Sequence, residues 1–405
     1  MIYLISITAF SFVILILVGM ILLVEAKVVK KEDCIVVINN DMEKGISTRR
    51  GGSLLSVLSG AGIFIPSACG GKGTCGTCKC VVEAGGGEIL PTELIHIGRK
   101  EQEKKIRLAC QLKVKDNLKI LIPEEIFSIT KYDAIVVSNE NVATFIKELV
   151  VRLDQGQELD FKAGAYVQID IPEYDLSFKE FNVADRYRAS WEKYNLWNLK
   201  AVSQQPVYRA YSLASPPSEK TELRFTVRIA TPPPGMSGIA PGIGSSYIFN
   251  LKPGNRIILS GPYGEFFVKE TEREMCFVGG GAGMAPMRSH IFNQILTVNT
   301  RRKITFWYGA RSKQEMFYDE EFRELENKCS NFKYHVALSE PQPEDEWKGL
   351  TGFIHQCLYD NYLKTHNDPA EIEYYLCGPP MMIDSVIKKL DSLGVDPEMI
   401  AYDKF

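Results

Sequence analysis

Pro66-Ser-Ala-Cys69-Gly-Gly-Lys-Gly-Thr-Cys75-Gly-Thr-Cys78, followed at a distance by Arg107-Leu-Ala-Cys110, sets four cysteines in the spacing C-x5-C-x2-C-x31-C. Three thiolates on one tight loop and a fourth on a remote segment can surround a two-iron cluster. Gly70, Gly71, Gly73 and Gly76 let the backbone fold closely and aim N–H groups at the sulfurs. The plant-type pattern has four residues in the first gap, so this loop is one residue longer. A four-cysteine zinc site more often uses two C-x2-C pairs, and an inert cysteine cluster is the blander alternative. The spacing nominates Cys69, Cys75, Cys78 and Cys110 as metal ligands. Cys80, in the strand-like Lys79-Cys-Val-Val-Glu83, reads as a buried strand residue. Around the loop, residues 33–126 hold a strand-like Cys34–Asn39 and a short apolar helix near Leu54–Leu58, an α+β pattern.

Residues 130–270 read as short strands between Gly/Pro turns: Ala134–Ser138, Tyr166–Asp170, Leu223–Ile229 and Arg256–Leu259. Regular short strands without long helices predict an antiparallel barrel. Inside it lies Arg209-Ala-Tyr211-Ser212. A flavin needs a cation on its diphosphate, an aromatic face beside its ring and a hydrogen-bond partner near N5, which Arg209, Tyr211 and Ser212 can supply in turn. An ordinary strand with an outward Arg and a packed Tyr would look the same, and four residues alone are a weak motif. Gly242-Ile-Gly244-Ser245-Ser246 can open a short helix facing a diphosphate. Gly261-Pro-Tyr-Gly264 can close the barrel. Residues 173–204 form a polar insertion rich in aromatics: Tyr174, Phe178, Phe181, Tyr187, Trp191, Tyr194 and Trp197. That density suggests either a docking surface or a shield for the flavin.

In residues 271–405 the buried-strand run Met275–Val278 leads into Gly279-Gly-Gly281-Ala-Gly283-Met-Ala-Pro286 and a helix. Glycines permit close backbone approach, and a helix N-terminus favours phosphate. The Rossmann fingerprint is incomplete, because Pro286 stands for its third glycine. No acid ends the next strand either: Ile304–Tyr308 leads into Gly309-Ala-Arg311-Ser312. Arg311 and Ser312 have the chemistry to greet a 2′-phosphate. A third strand, Tyr374–Leu376, ends in Cys377-Gly-Pro-Pro-Met-Met382, which places Cys377 where ligands sit in doubly wound sheets. A packed small residue is the plain reading of that cysteine. Phe405 can cover a flavin face, with Tyr402 as competitor or a frayed terminus as alternative.

At the other end, Met1–Val24 carries no charged side chain. It would reach roughly 35 Å as a helix, against a hydrocarbon core of about 30 Å. A cleaved signal peptide is the alternative, but the apolar run is long for one and no Lys or Arg precedes it. We therefore read residues 1–26 as a single transmembrane anchor. Lys27, Lys30 and Lys31 follow it, so the N-terminus lies outside and the remaining domains in the cytoplasm. With no Asp, Glu, His, Lys or Arg up to Val24, this helix tethers rather than conducts. Across all 405 residues the net charge is -3 and charged residues make up 24%. That argues against a nucleic-acid partner and against wholesale disorder. Ten cysteines are too sparse for a small disulfide scaffold, and disulfides are rare in the cytoplasm.

In series, these modules resemble the family of F subunits of the bacterial sodium-translocating NADH:quinone oxidoreductases, within the ferredoxin–NADP reductase-like superfamily. GPYGEFF, GGGAGMAPMRSHIF, FWYGARSK, TGFIH and YYLCGPPMM carry the resemblance, which covers the whole chain. It implies a β-grasp 2Fe-2S ferredoxin domain over 33–126, an FAD barrel over 130–270 and an NADH-binding domain over 271–405. Hydride from NADH would go to FAD, and single electrons to the cluster and on to other integral-membrane subunits of the complex, with quinone reduced elsewhere, at the bacterial inner membrane. Residue by residue it implies Cys69, Cys75, Cys78 and Cys110 as cluster ligands. Arg209, Tyr211, Ser212, Gly242, Ser245, Ser246, Gly264 and Phe405 fall on the FAD side. Gly281, Gly283 and Cys377 fall on the NADH side, with Ser212 and Cys377 in the hydride site. NADH rather than NADPH rests on the likeness alone. A membrane-anchored reductase feeding a separate oxygenase would use the same modules, and a tethered iron–sulfur carrier without enzymatic activity would need fewer.

Overall fold

Among the described residues, nineteen strands in four sheets frame the molecule. The computed structural model describes residues 10–20, 33–233, 236 and 238–404. The chain divides into one unit of residues up to 67 together with 71–128, and a second of 68–70 together with 129–405.

In the first unit, helix α1 covers residues 10–20. Its side chains from Phe10 through Val18, and Met20, are apolar and exposed apart from the small Ser11 and Gly19. The rest of the expected anchor, 1–9 and 21–26, lies outside the described residues. Among the described residues no helix is long and apolar enough to cross a membrane. Strand β1 (Cys34–Ile38) pairs antiparallel with β2 (Asp41–Thr48) and parallel with a later strand, β5 (Leu118–Leu121). Between them come helix α2 (Leu54–Gly60), strand β3 (Lys79–Ala84), helix α3 (Arg99–Glu103) and strand β4 (Ile106–Leu108). The five strands lie in the order β2-β1-β5-β3-β4. Ser53 caps α2, its hydroxyl accepting the Ser56 N–H at 3.2 Å, and the helix buries Leu54, Leu55 and Leu58. This is the expected α+β module, a mixed sheet with short helices between its strands.

The second unit opens with six antiparallel strands: β6 (Thr130–Ala143), β7 (Ile146–Leu153), β8 (Tyr166–Ile171), β11 (Val207–Ser212), β12 (Glu222–Arg228) and β13 (Arg256–Tyr263). Their order is β11-β8-β13-β6-β7-β12. The two end strands meet just past Ser212: Ala214 N–H donates to Arg224 O at 2.7 Å, closing the barrel. Its interior is apolar, with Val136, Leu149, Val151, Val167, Ile169, Leu223, Phe225 and Leu259 fully or almost fully buried.

Within the insertion, β9 (Tyr174–Ser177) and β10 (Lys200–Ser203) form a separate hairpin that flanks helix α4 (Asp185–Lys193). A docking surface is not what its aromatics form. Phe178, Phe181, Tyr187 and Trp191 are buried in a core with Phe249, Tyr174 and Trp197 are partly buried, and Tyr194 is the exposed ring of the seven. Trp191 Nε1 donates to Thr144 O at 2.8 Å, pinning the insertion to the barrel. A short insertion packed on the outside of the barrel needs its own apolar centre, and large rings supply it with few residues. Truncating such a ring to Ala typically costs about 3–5 kcal/mol.

Helix α5 (Ile243–Asn250) precedes β13. Beyond the barrel, six parallel strands follow in the order β17-β16-β15-β14-β18-β19: β14 (Met275–Gly280), β15 (Ile304–Ala310), β16 (Phe332–Leu338), β17 (Leu350–Thr351), β18 (Glu373–Gly378) and β19 (Ile400–Lys404). The helices are α6 (Met284–Phe292), α7 (Asp319–Lys328), α8 (Ile354–Asn361) and α9 (Pro380–Asp391). Successive strand residues enter different cores, as the period of two demands. Phe277, Phe306, Tyr308, Tyr375 and Cys377 pack with α6 and α7. Cys276, Val278, Trp307, Tyr374 and Leu376 pack with α8 and α9. The sheet is thus doubly wound, and the chain reverses direction across it at β14 and β18. A ligand crevice belongs at that point, outside the carboxyl ends of the strands.

Candidate functional site

The cysteine loop owes its path to glycine. Gly71, Gly73 and Gly76 have φ of 86°, 77° and 70°, a region costly for other residues. A Cβ on Gly73 would stand 2.4 Å from Gln111 Nε2, and one on Gly76 2.8 Å from the His96 ring. Gly71 N–H donates to Ser67 Oγ at 3.0 Å, and His96 Nε2 lies 3.1 Å from Gly73 O. The remote cysteine arrives by strand pairing: Lys79 faces Leu108, and Ala109 N–H donates to Cys78 O at 2.9 Å. The thiols of Cys78 and Cys110 are hydrogen-bonded, with Cys75 close by. That bond and burial hold the Cys78 thiol far above its ordinary range.

A buried ion pair steadies this approach. Arg107 Nη2 lies 2.7 Å from Glu93 Oε2, Arg107 Nη1 donates to Gly86 O at 2.8 Å, and Leu108 N–H donates to Glu93 Oε1 at 2.9 Å. Sequence reasoning did not single out Glu93; the buried charge of Arg107 requires it. Cys69 is half-buried, and Cys80 is buried in β3 as expected, its thiol pushed up to about 12 by burial. Among the described residues no three His, Cys, Asp or Glu side chains are gathered as around a single metal ion. A glycine cradle with adjoining thiols fits a thiolate-held cluster: ligation would replace the proton that Cys78 and Cys110 now share.

On the barrel, the first turn of α5 is pressed onto β11. A Cβ on Gly244 would stand 2.5 Å from Tyr211 Oη and 2.8 Å from Arg209 Cγ. Tyr174 Oη donates to Ile243 O at 2.5 Å, and its ring stacks on Tyr247 with centroids 6.0 Å apart. The insertion therefore reaches the start of α5 with Tyr174. Ser245 is committed within the protein: its hydroxyl accepts the Ala230 N–H at 3.0 Å and donates to Gly242 O at 3.2 Å. Ser246 is different. Its hydroxyl is completely buried beside the helix start and has no protein partner. A buried hydroxyl left unpaired costs free energy, and a bound diphosphate in this cradle would satisfy it. Gly264 lies against the barrel's own turn, where a Cβ would be 3.2 Å from Ala165 Cα.

At the carboxyl edge of the parallel sheet, Gly281 has φ of 56°, and a Cβ on Gly283 would stand 2.2 Å from Cys377 O. The loop after β14 can lie against the end of β18 only because residue 283 is glycine. Cys377 is fully buried, and burial drives its thiol well above the ordinary range. Its neighbour across the sheet is Asp403, paired with it through β18 and β19. Asp403 also hydrogen-bonds Ser212 of the barrel, and burial raises its carboxyl to about 6. Ser212, Cys377 and Asp403 thus meet at one place. Two contacts fix the barrel on the sheet there: Arg288 Nη1 donates to Ala214 O at 2.9 Å, and Thr226 Oγ1 donates to Ala282 O at 2.9 Å. Asp403 escaped the sequence reading, which looked to Tyr402 and Phe405. Tyr402 is half-exposed on β19, and Phe405 lies outside the described residues.

Three domain families match the chain in order. The 2Fe-2S iron-sulfur cluster binding domain covers residues 37–115, the oxidoreductase FAD-binding domain 192–268, and the oxidoreductase NAD-binding domain 277–388. The F subunit of a Na(+)-translocating NADH-quinone reductase of Klebsiella pneumoniae is 52% identical over 99% of this chain and 98% of its own length. Bearers of the same name in Mannheimia succiniciproducens and Neisseria meningitidis are each 51% identical, over 100% and 99% of this chain and 98% of their own. The chain belongs to this family of F subunits. It is an oxidoreductase whose cofactors are a 2Fe-2S cluster and FAD, with NADH as substrate. Its fold recurs in an Amycolatopsis cytochrome P450 reductase, at 21% identity and a TM-score of 0.65, covering 92% of this chain and 98% of that one. It recurs also in the ferredoxin reductase of carbazole 1,9a-dioxygenase, at 23% identity and a TM-score of 0.59 over the same shares.

Proposed function

We propose that this chain is the NADH-oxidising subunit of a membrane sodium-translocating NADH:quinone oxidoreductase. It takes hydride at the edge where barrel and parallel sheet meet, and delivers single electrons through the cysteine loop to other subunits. The convergence of Ser212, Cys377 and Asp403 carries this reading, because it puts a hydroxyl, a thiol and a carboxyl beside both nucleotide-binding loops. Bound FAD supplies the change from two-electron to one-electron chemistry, and a bound 2Fe-2S cluster carries the single electrons.

The chain's own residues do the rest. Arg209 and the α5 start with Ser246 hold a diphosphate, and Tyr211 lines the ring. Gly281 and Gly283 admit the nicotinamide nucleotide. The carboxylate of Asp403 accepts a hydrogen bond from the Ser212 hydroxyl and so orients it, while buried Cys377 stays a neutral thiol and excludes water. Cys69, Cys75, Cys78 and Cys110 hold the cluster. Gly242 and Ser245 shape the helix start, Gly264 closes the barrel turn, and Phe405 covers the flavin.

Residues 1–26 anchor the chain as one transmembrane helix, with the N-terminus outside and the redox domains in the cytoplasm at the bacterial inner membrane. The apolar, exposed side chains of α1 support this. The test is purification of the full chain from membranes. Co-purification with hydrophobic subunits, flavin bleaching by NADH and sodium-stimulated quinone reduction are expected. NADH oxidation without such partners would overturn the pump assignment, and deletion of residues 1–26 without release from the membrane would overturn the anchor.

A further inference from the structure

The nucleotide loop is followed by β15, and the end of that strand is where a doubly wound sheet normally reads the adenosine ribose. An acid there accepts the 2′-hydroxyl of NADH, and a free Arg there accommodates the 2′-phosphate of NADPH. In this chain β15 runs into Arg311 and Ser312, which by residue type favours the phosphate.

The tertiary structure reverses that expectation. Ser312 is buried and so withdrawn from an incoming group. Arg311 is exposed but already engaged: its Nη2 lies 2.8 Å from Glu340 Oε2. The pairing is built by backbone as well as side chain. β16 lies parallel beside β15, and past their ends Ser339 N–H donates to Ala310 O at 3.0 Å and Glu340 N–H donates to Arg311 O at 2.7 Å. Glu340 is therefore held at the carboxyl edge, level with Arg311. From the other side Tyr194, the exposed ring of the insertion, hydrogen-bonds the Arg311 side chain. Gln314 Nε2 also donates to Arg186 O of α4, at 3.2 Å, keeping the insertion against this loop. Nearby, Asp345 accepts the Lys313 N–H at 3.0 Å, adding a second carboxylate to the same edge.

We infer that Glu340 is the specificity-determining residue for the nucleotide, selecting NADH over NADPH from the end of the third strand rather than the second. Both side chains of this pair are about 60% accessible, and a pair so exposed contributes little to stability. Its consequence is selective. Glu340 cancels the charge that a 2′-phosphate would need and puts a carboxylate where the dianion would come to rest. It leaves an acceptor for a ribose hydroxyl. Rejection of a wrong ligand by a misplaced like charge is a common route to specificity. The inference rests on the reading of the β14–β15 edge as the nucleotide site.

The test is equilibrium binding of NAD+ and NADP+ to the full-length, flavin-loaded protein, read by quenching of the flavin fluorescence. The wild type should prefer NAD+. In Glu340→Gln the affinity for NADP+ relative to NAD+ should rise about tenfold or more, the size expected for like charges at contact distance in a partly solvated site. Adding Arg311→Gln to that variant should abolish the gain, because the phosphate then has no cation. An unchanged ratio in Glu340→Gln, or a gain that persists without Arg311, would overturn the inference. Flavin bleaching by NADH in the wild type is scored separately. Its failure would count against the proposed function, whereas a binding ratio unmoved by Glu340→Gln counts only against this residue.

Discussion

In the proposed function, the cysteine loop and the edge where Ser212, Cys377 and Asp403 meet would solve the same problem, holding a redox group against a protein, in opposite ways. Three of the four loop cysteines lie within ten residues of chain, and glycines with positive φ shape the path between them. The hydride edge has no such continuity. Ser212 ends a barrel strand, Cys377 ends a sheet strand and Asp403 sits near the end of the chain, brought together by β-pairing and by the fixing of barrel on sheet. A site written in one loop fails one ligand at a time. A site written in three elements fails whenever any of them shifts.

Four substitutions sharpen this contrast. The largest effect belongs to the loop. Cys78→Ala should abolish the cluster's visible absorbance and lower quinone reduction by about 100-fold or more, while NADH still bleaches the flavin, because alanine offers the iron no donor atom. Retention of a wild-type cluster spectrum would remove Cys78 from the ligand set. Next comes the hydride edge as a whole. Gly283→Ala places a Cβ 2.2 Å from Cys377 O, forcing the loop after β14 away from β18. Displacements of about 1 Å can cost about 100-fold in rate, so flavin reduction by NADH should fall on that scale with flavin content retained. A stopped-flow rate equal to wild type would show that the loop does not position the nucleotide.

Ser212→Ala removes one hydroxyl and moves no backbone. Flavin reduction should slow about tenfold, the lower range for a single positioned group, with cluster absorbance intact. An unchanged rate would take Ser212 out of the site. The smallest effect, and the most diagnostic, is that of Asp403→Asn. With the carboxyl raised to about 6, its ionised form accepts the Ser212 hydroxyl only above that pH. The rate of flavin reduction should rise through a limb centred near pH 6, and the limb should vanish in the Asn variant. Stability moves the other way. An unfolded Asp titrates near 3.9, so between about pH 4 and 6 the folded chain binds more protons, and stability falls as pH rises through that window. The Asn variant should flatten this slope in urea titrations at pH 5 and pH 7. A wild-type slope in the variant would assign the titration to another group.

Much of the architecture was legible because its signals are local. The run Met275–Val278, buried on both faces, announces a parallel strand, and β14 follows it closely. Leu54, Leu55 and Leu58 announce α2 by helical spacing. The insertion misleads for a related reason. Seven aromatics in a polar stretch look like an exposed patch, and composition alone does not reveal that Phe178, Phe181, Tyr187 and Trp191 turn toward one another and Phe249. Ser245 and Ser246 are adjacent and alike in sequence, yet one hydroxyl is spent on Ala230 and Gly242 while the other is buried without a partner.

By itself the amino-acid sequence determined which chemistries the molecule can host: thiolates at cluster spacing, a flavin motif and glycine loops for nucleotides, in an order that names the family. These depend on residue type and on separations of a few positions, which the covalent chain carries directly. Only the tertiary structure decided which groups act together. Asp403 joins Ser212 through a strand added beside β18, and Glu340 neutralises Arg311 across the ends of two parallel strands. Strand neighbours in a parallel sheet are set by crossover connections tens of residues long, so the partner of a charge at one strand end is fixed by packing and register rather than by proximity along the chain.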